Sequence, residues 1–217
     1  MRVIIYVEGP SDRDGLKVLF DSLIKQALQQ GCHIQFIPME GKRPLITKVP
    51  LRAVNILRNE HNAHVVALPD LYPPNVGYSH SSWRELKQVL VQAFQSECRR
   101  LKVNSTRLLE RFHVHCLKYD FEALLLASEE QLRRRLRLQT LPPQIRWIKP
   151  VEDQDHKRPP KRVIEELFQY VKARYIETID APLILEGVDP FDLAAKCPQC
   201  FHPFLNDLLR LIGIAKK

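Results

Sequence analysis

Apolar positions along the chain change period several times, and each change marks an element. Residues 2–7, Arg-Val-Ile-Ile-Tyr-Val, form a continuous β-branched run closed by Glu8-Gly9-Pro10, the pattern of a strand buried on both faces. The period then becomes helical. Leu16, Leu19, Phe20, Leu23, Ile24, Ala27 and Leu28 share one face, Ser11 is placed to cap the N-terminus with Asp14 three residues on, and Gly31 stops the helix. Residues 33–39 alternate as a second strand ending at Glu40-Gly41-Lys42, and residues 50–59 read as helical. Residues 63–68 are a third strand, almost wholly apolar, that runs into Pro69-Asp70. A long amphipathic helix over 81–101 carries Leu86, Val89, Leu90, Ala93 and Phe94 on one side, and a fourth strand over 112–117 leads through Lys118-Tyr119-Asp120 into a helix over 121–127.

Strands separated by helices predict an α/β fold with a mostly parallel, doubly wound sheet. Beyond Leu138 the pattern changes, because Pro142, Pro143, Pro150, Pro159 and Pro160 and the charged run 152–161 mark a long loop. Helices resume at about 162–173, 190–195 and 203–212, as a C-terminal helical cap. The predicted organisation is an α/β core over residues 1–138, with a Pro-rich basic loop and C-terminal helices over 139–217 packed on it as one compact domain.

Composition narrows the class. With 45% apolar and 27% charged residues among 217, disorder, collagen and coiled coil are excluded. No apolar run approaches the ~20 residues of a membrane span, and the apolar start is too short for a signal peptide. Cys32, Cys98, Cys116, Cys197 and Cys200 are odd in number and scattered, which argues against a disulfide framework and for a cytoplasmic protein. Cys197-x-x-Cys200 with His202 lacks the second ligand pair of a structural zinc site and reads as small apolar residues at a helix boundary.

Charge is concentrated. The chain has 33 Lys+Arg against 25 Asp+Glu, and the whole excess of +8 falls in residues 99–162, which hold 16 basic and 8 acidic side chains. Such a segment points to a polyanion, nucleic acid being the commonest, with Arg133, Arg134, Arg135, Arg137, Lys157, Arg158, Lys161 and Arg162 as the candidate contacts. A solvated helical face followed by a basic loop is the alternative. Trp147, inside the segment, is either a core residue or a surface on which a base stacks.

Ligands of open parallel sheets bind at the carboxyl ends of the strands. Glu8 follows the first strand, Asp70 the third, and Asp120 and Glu122 the fourth, while Asp12 in the first helical turn leans over the same edge. Carboxylates gathered in this way call for a hard divalent cation, Mg²⁺ or Mn²⁺. Taken singly, Asp12 also suits a helix N-terminus, Asp120 suits an N-cap, and His115 on an apolar strand suits a satisfied core position.

The run Glu8-Gly9-Pro10-Ser11-Asp12 after an N-terminal strand, with Asp70 in a turn after a later one, resembles the Toprim fold of primases, topoisomerases and OLD-type nucleases. His115 with Tyr119-Asp120-Phe121-Glu122-Ala123-Leu124-Leu125, then Pro160-Lys161-Arg162, then Cys197-Pro198 near Phe201 and Leu205, resembles the Toprim-related DUF4276 family over nearly the full chain. The resemblance implies a Toprim-like, Rossmann-like sheet flanked by helices and a metal-dependent nuclease acting on phosphodiester bonds of DNA or RNA. It implies Glu8 as metal ligand or general acid/base, Asp12 as the second acid and Asp70 as a ligand; in a catalytic site Lys161 and Arg162 would neutralise charge on the phosphate, the alternative being a basic helix start after two prolines. It also implies a setting in bacterial anti-phage defence with an ATPase partner, since no Walker-type phosphate loop occurs in the chain.

One position departs from the pattern. Tyr72 stands where the second acid of the Toprim Asp-x-Asp motif belongs, and a phenol is a poor Mg²⁺ ligand at neutral pH. Glu122 or Asp120 is left to supply the charge. Two readings follow. In one, Glu8, Asp70 and Lys161 are catalytic and Glu8, Asp12, Asp70 and Glu122 hold Mg²⁺ or Mn²⁺. In the other, the chain is a degraded Toprim-derived subunit that binds nucleic acid or an ATPase partner without turnover.

Overall fold

The first strand, β1 (Arg2–Val7), sits inside a four-stranded sheet of order β2-β1-β3-β4 in a computed structural model that describes residues 1–154 and 157–214. Asp155 and His156 of the predicted charged loop, and residues 215–217 of the predicted cap, lie outside the described residues. β2 (His33–Pro38), β3 (Ala63–Ala67) and β4 (Phe112–Val114) complete the sheet, and every pairing is parallel. Val3 faces Ile34 on one side and His64 on the other.

Side-chain alternation along β1 divides the interior. Val3, Ile5 and Val7 enter one core with α1 (Pro10–Leu19) and α2 (Asp21–Gln29), while Ile4 and Tyr6 enter the other with α3 (Lys42–Asn59) and α4 (Trp83–Arg100). Each fully buried aliphatic or aromatic side chain contributes about 1.5–3 kcal/mol, so a strand apolar on both faces holds both layers at once. The first core also receives α6 (Glu122–Ala127), α7 (Glu129–Arg135), α8 (Pro160–Tyr170), α9 (Glu177–Leu185), α10 (Pro190–Lys196) and α11 (Phe201–Ile212). α5 (Ser105–Leu109) precedes β4. Among the described residues no helix is long and apolar enough to cross a membrane.

Several boundaries differ from the sequence pattern. The first helix breaks at Phe20 into α1 and α2, and its N-cap is Gly9 rather than Ser11. Asp12, not Asp14, closes the cap, its Oδ2 accepting the Gly9 N–H at 3.0 Å, while Asp14 turns to Arg13. α3 begins at Lys42 and runs through Pro50, whereas the pattern began the helix at residue 50. β4 ends at Val114, after which regular strand gives way to a parallel bridge between Leu117 and Asp70 and a few backbone hydrogen bonds between residues 115–119 and 67–72. α9 was not foreseen, because it is apolar on both its buried and its exposed sides. Glu152 fixes the long loop: its carboxylate accepts the N–H groups of Gln199, Cys200 and Phe201 at the start of α11, at 2.5, 2.7 and 3.2 Å.

Candidate functional site

The strand order reverses between β1 and β3. β2 lies on one side of β1, and β3 and β4 on the other, so the carboxyl ends of β1 and β3 form the crevice where such sheets bind ligands. Glu8 leaves β1 at this point and its Oε1 accepts the Asp70 N–H at 2.9 Å, joining two segments 62 residues apart. Asp12 comes back over the edge from α1, and Asp120 and Glu122 arrive from the turn into α6. These acids line one cleft of about 430 Å³ together with Tyr72, Lys161 and Glu177.

Seven carboxyl-bearing residues and one lysine, Lys161, line that cleft among the described residues. The consequence is electrostatic. Burial pushes the Glu8 carboxyl up to about 8, with Asp12 and Asp120 adding repulsion against the Asp70 N–H and the Lys42 charge. Asp120 is pushed up to about 7, mainly by burial and against the Lys161 N–H that it accepts. Burial likewise raises Asp12; it holds Asp70 and Glu122 well above the usual range, with Glu8 repelling the first and Asp120 the second. Burial works against the Lys161 ammonium, but its pairing with Glu177 and the charge of Glu122 keep its pKa above the ordinary value.

The donor set fits a hard divalent cation. Every ligand atom is oxygen, the charges repel one another, and Asp120 Oδ1 is buried without a hydrogen-bond partner. The carboxylates stand around the cleft rather than closed on one point, since among the described residues no three His, Cys, Asp or Glu side chains are arranged to hold an ion as they stand. Asp12 already serves its helix: Oδ2 is bonded to Gly9 and Oδ1 to the Ser11 hydroxyl at 3.2 Å. Glu122 Oε1 accepts the Tyr175 hydroxyl at 3.3 Å.

The eight basic candidates separate. Lys161 is the one that lines the cleft among the described residues. Arg133 and Arg134 both bind Glu130 on their own helix, and Arg133 faces a different groove of about 830 Å³. Arg135 pairs with the buried Asp180 of α9. Arg158 pairs with Glu166, as does the exposed Arg162 at 3.6 Å. Arg137 follows α7 in the left-handed region with φ 55°, and Lys157 is exposed in the loop. Trp147 packs against the first core.

Of the remaining singled-out residues, His115 donates from Nε2 to the Asp207 carboxylate at 2.9 Å and is satisfied, with His113 at the same carboxylate oxygen. Cys197 and Cys200 turn into opposite cores, and the Cys200 sulfur faces Cys116 at 3.4 Å. Sequence reasoning missed Lys42 and Glu177. Lys42 is buried, its pKa lowered to about 8 by that burial against the pull of Glu8 and Asp70. Its available signal was position: Glu40-Gly41-Lys42 ends the second strand at the same sheet edge as Glu8.

The sequence matches the family described as "Domain of unknown function (DUF4276)" over residues 7–209. No functionally curated protein matches it. Among solved structures, the C-terminal region of the Burkholderia pseudomallei OLD protein is similar at 16% identity and a TM-score of 0.49, covering 97% of this chain and 98% of that one. The C-terminal region of the Xanthomonas campestris pv. campestris OLD protein is similar at 14% identity and a TM-score of 0.48, covering 97% and 95%.

Proposed function

The chain belongs to the DUF4276 family, and from that premise we propose that it is a metal-dependent nuclease that hydrolyses phosphodiester bonds of DNA or RNA. The observation that carries this reading is the convergence of Glu8, Asp12, Asp70, Asp120 and Glu122 with Lys161 on one cleft at the sheet's switch point. The likeness of the Glu8-to-Asp12 run and of Asp70 to Toprim motifs supports it.

In this reading Glu8, Asp12, Asp70 and Glu122 hold Mg²⁺ or Mn²⁺. A bound ion of this kind supplies Lewis-acid stabilisation of the phosphate and lowers the pKa of its water. The chain's own groups do the rest. Glu8, its Oε1 oriented by the Asp70 N–H, serves either as a ligand to that ion or as general acid/base. In the cation-free cleft burial pushes its carboxyl up to about 8, so it holds or releases a proton near neutrality only while no ion is bound to it. Lys161, kept charged by Glu177 and Glu122, presents an ammonium to a phosphate oxygen. Arg134, Arg137, Lys157 and Arg162, all exposed, are the members of the basic set placed to meet the backbone of a longer substrate. The proposed setting is cytoplasmic anti-phage defence, with nucleotide hydrolysis supplied by an ATPase partner because the chain has no Walker-type loop.

A second reading rests on Tyr72. With a phenol beside Asp70 in place of a second acid, the chain acts as a Toprim-derived subunit that binds without turnover. Incubation with DNA and RNA in Mg²⁺ or Mn²⁺ separates the two. On the first reading wild type cleaves and Glu8→Gln loses about 10²–10⁴-fold in rate. Equal cleavage by both proteins, or no cleavage of any substrate with or without a partner ATPase, sinks the nuclease assignment.

A further inference from the structure

Tyr72 is fastened from several directions. The Lys42 ammonium, on a residue only 5% exposed, donates to the carbonyls on either side of it, Leu71 and Pro73, each at 2.6 Å. The Tyr72 N–H donates to the Tyr119 carbonyl at 2.8 Å. Its ring meets that of Tyr119 edge to face, with centroids 6.2 Å apart and planes at 73°, and the Lys118 ammonium lies 5.9 Å from the Tyr119 centroid. Neither tyrosine belongs to a hydrophobic core, and both are half-buried. The Tyr72 side chain lines the acidic cleft next to Asp70. A partly exposed ring whose backbone is held on three sides is pre-organised to receive another flat ring at small entropic cost.

We propose that Tyr72 is a nucleobase-stacking residue, and that the cleft therefore takes nucleic acid as a single strand. The chemistry follows from what a duplex hides. Both faces of a paired base are covered by its neighbours, so only an unpaired or splayed base offers a face to an aromatic side chain. Placed beside Asp70, Tyr72 receives the base that flanks a phosphate lying in the cleft, and Tyr119 supports the ring from behind. This identification of the substrate class rests on the nuclease reading for the position of the phosphate, and it gives the residue that replaces an acid a task of its own.

The test reads binding apart from turnover. A fluorescein-labelled, mixed-sequence single strand of about 16 nucleotides, as DNA and as RNA, and the matching duplex are titrated with full-length protein carrying Glu8→Gln, followed by anisotropy at two salt concentrations. Adding Tyr72→Leu is expected to weaken single-strand binding about 5- to 150-fold with an unchanged salt slope, because stacking releases no counterions. Tyr72→Phe keeps the ring and is expected to retain the affinity, and neither change alters duplex binding. Wild-type-like single-strand affinity in Tyr72→Leu, an equal loss on duplex, or no single-strand binding before the change overturns the proposal. So does a loss in Tyr72→Phe as large as in Tyr72→Leu, provided both melt like the parent. Cleavage by the wild type is scored separately. Absent cleavage with the stacking effect intact removes the nuclease reading and leaves this one standing; cleavage with no stacking effect does the reverse.

Discussion

Glu8 shows how one side chain records its whole surroundings. Its pKa of about 8, against 4.5 for the unperturbed carboxyl, means that the folded chain binds protons more tightly than the unfolded one. The sign is therefore fixed: stability from this group is fully present below pH 4.5 and is lost as pH rises through about 8. Asp120, at about 7, and the raised Asp70 and Glu122 act in the same direction. In chelator-containing buffer, urea midpoints are expected to fall from pH 5 to pH 8, and Glu8→Gln to flatten that fall; identical slopes in the two proteins would refute the assignment. Glu8 and Asp70 were legible because apolar strands run straight into them. Lys42 was not, since a lysine after Gly41 reads as an ordinary loop cation and its burial depends on carbonyls about 30 residues onward. Asp207 escaped for the same reason: it is an unremarked helix residue until His113 of β4 and His115 just beyond it arrive.

Elements were legible where periodicity was clean. β1 and β3 are almost wholly apolar runs, and α4 has one apolar stripe and a Ser82 cap whose side chain accepts the Glu85 N–H at 3.3 Å. α9 carries no such contrast: Ala181, Ile184 and Leu185 are buried while Ile179 and Leu183 are about half exposed, so no face stands out. Its position depends on a small residue elsewhere. α1 approaches α9 at Gly15, where an added Cβ lies 2.6 Å from the Phe121 ring and 3.2 Å from a Leu185 methyl. Alanine favours helices over glycine by about 1 kcal/mol, yet overpacking of this kind costs about 1–3 kcal/mol, and here the obstacle is a buried ring. Gly15→Ala is therefore expected to lower the melting temperature by several degrees (about 2–4 °C per kcal/mol). Since Phe121 lies between Asp120 and Glu122, the proposed nuclease rate is expected to fall with it; a variant as stable as wild type would show that the contact yields freely.

At the scale of the molecule, the sequence tells how much charge there is and where along the chain, but not which charges are already answered. Arg111 of the basic segment caps the end of α3, donating to the carbonyls of Leu57 and Glu60 at 2.7 Å each. Arg135 holds Asp180, which is 1% exposed, whereas Arg134 two-thirds in solvent holds only a surface glutamate. Adjacent arginines should thus behave oppositely. Arg135→Ala removes the cation paired with the buried Asp180, leaving it the Ile176 N–H, and is expected to cost about 3–5 kcal/mol, seen as a lower urea midpoint. Arg134→Ala is expected to change stability by less than about 1 kcal/mol while lowering the salt slope of nucleic-acid binding; the opposite pattern would reverse the roles given to the two. The acidic cleft carries a different lesson. Glu8, Asp70, Glu122 and Glu177 come from four distant stretches of chain, and only the finished fold gathers them. The unfolded polypeptide has no counterpart of that cleft, so whatever fills it favours the native form and displaces the folding equilibrium, by up to about 2.7 kcal/mol at a hundredfold excess over Kd. A simple melting curve of the intact protein thereby becomes a roll call of candidate occupants, cations and oligonucleotides alike, with no need to observe a reaction.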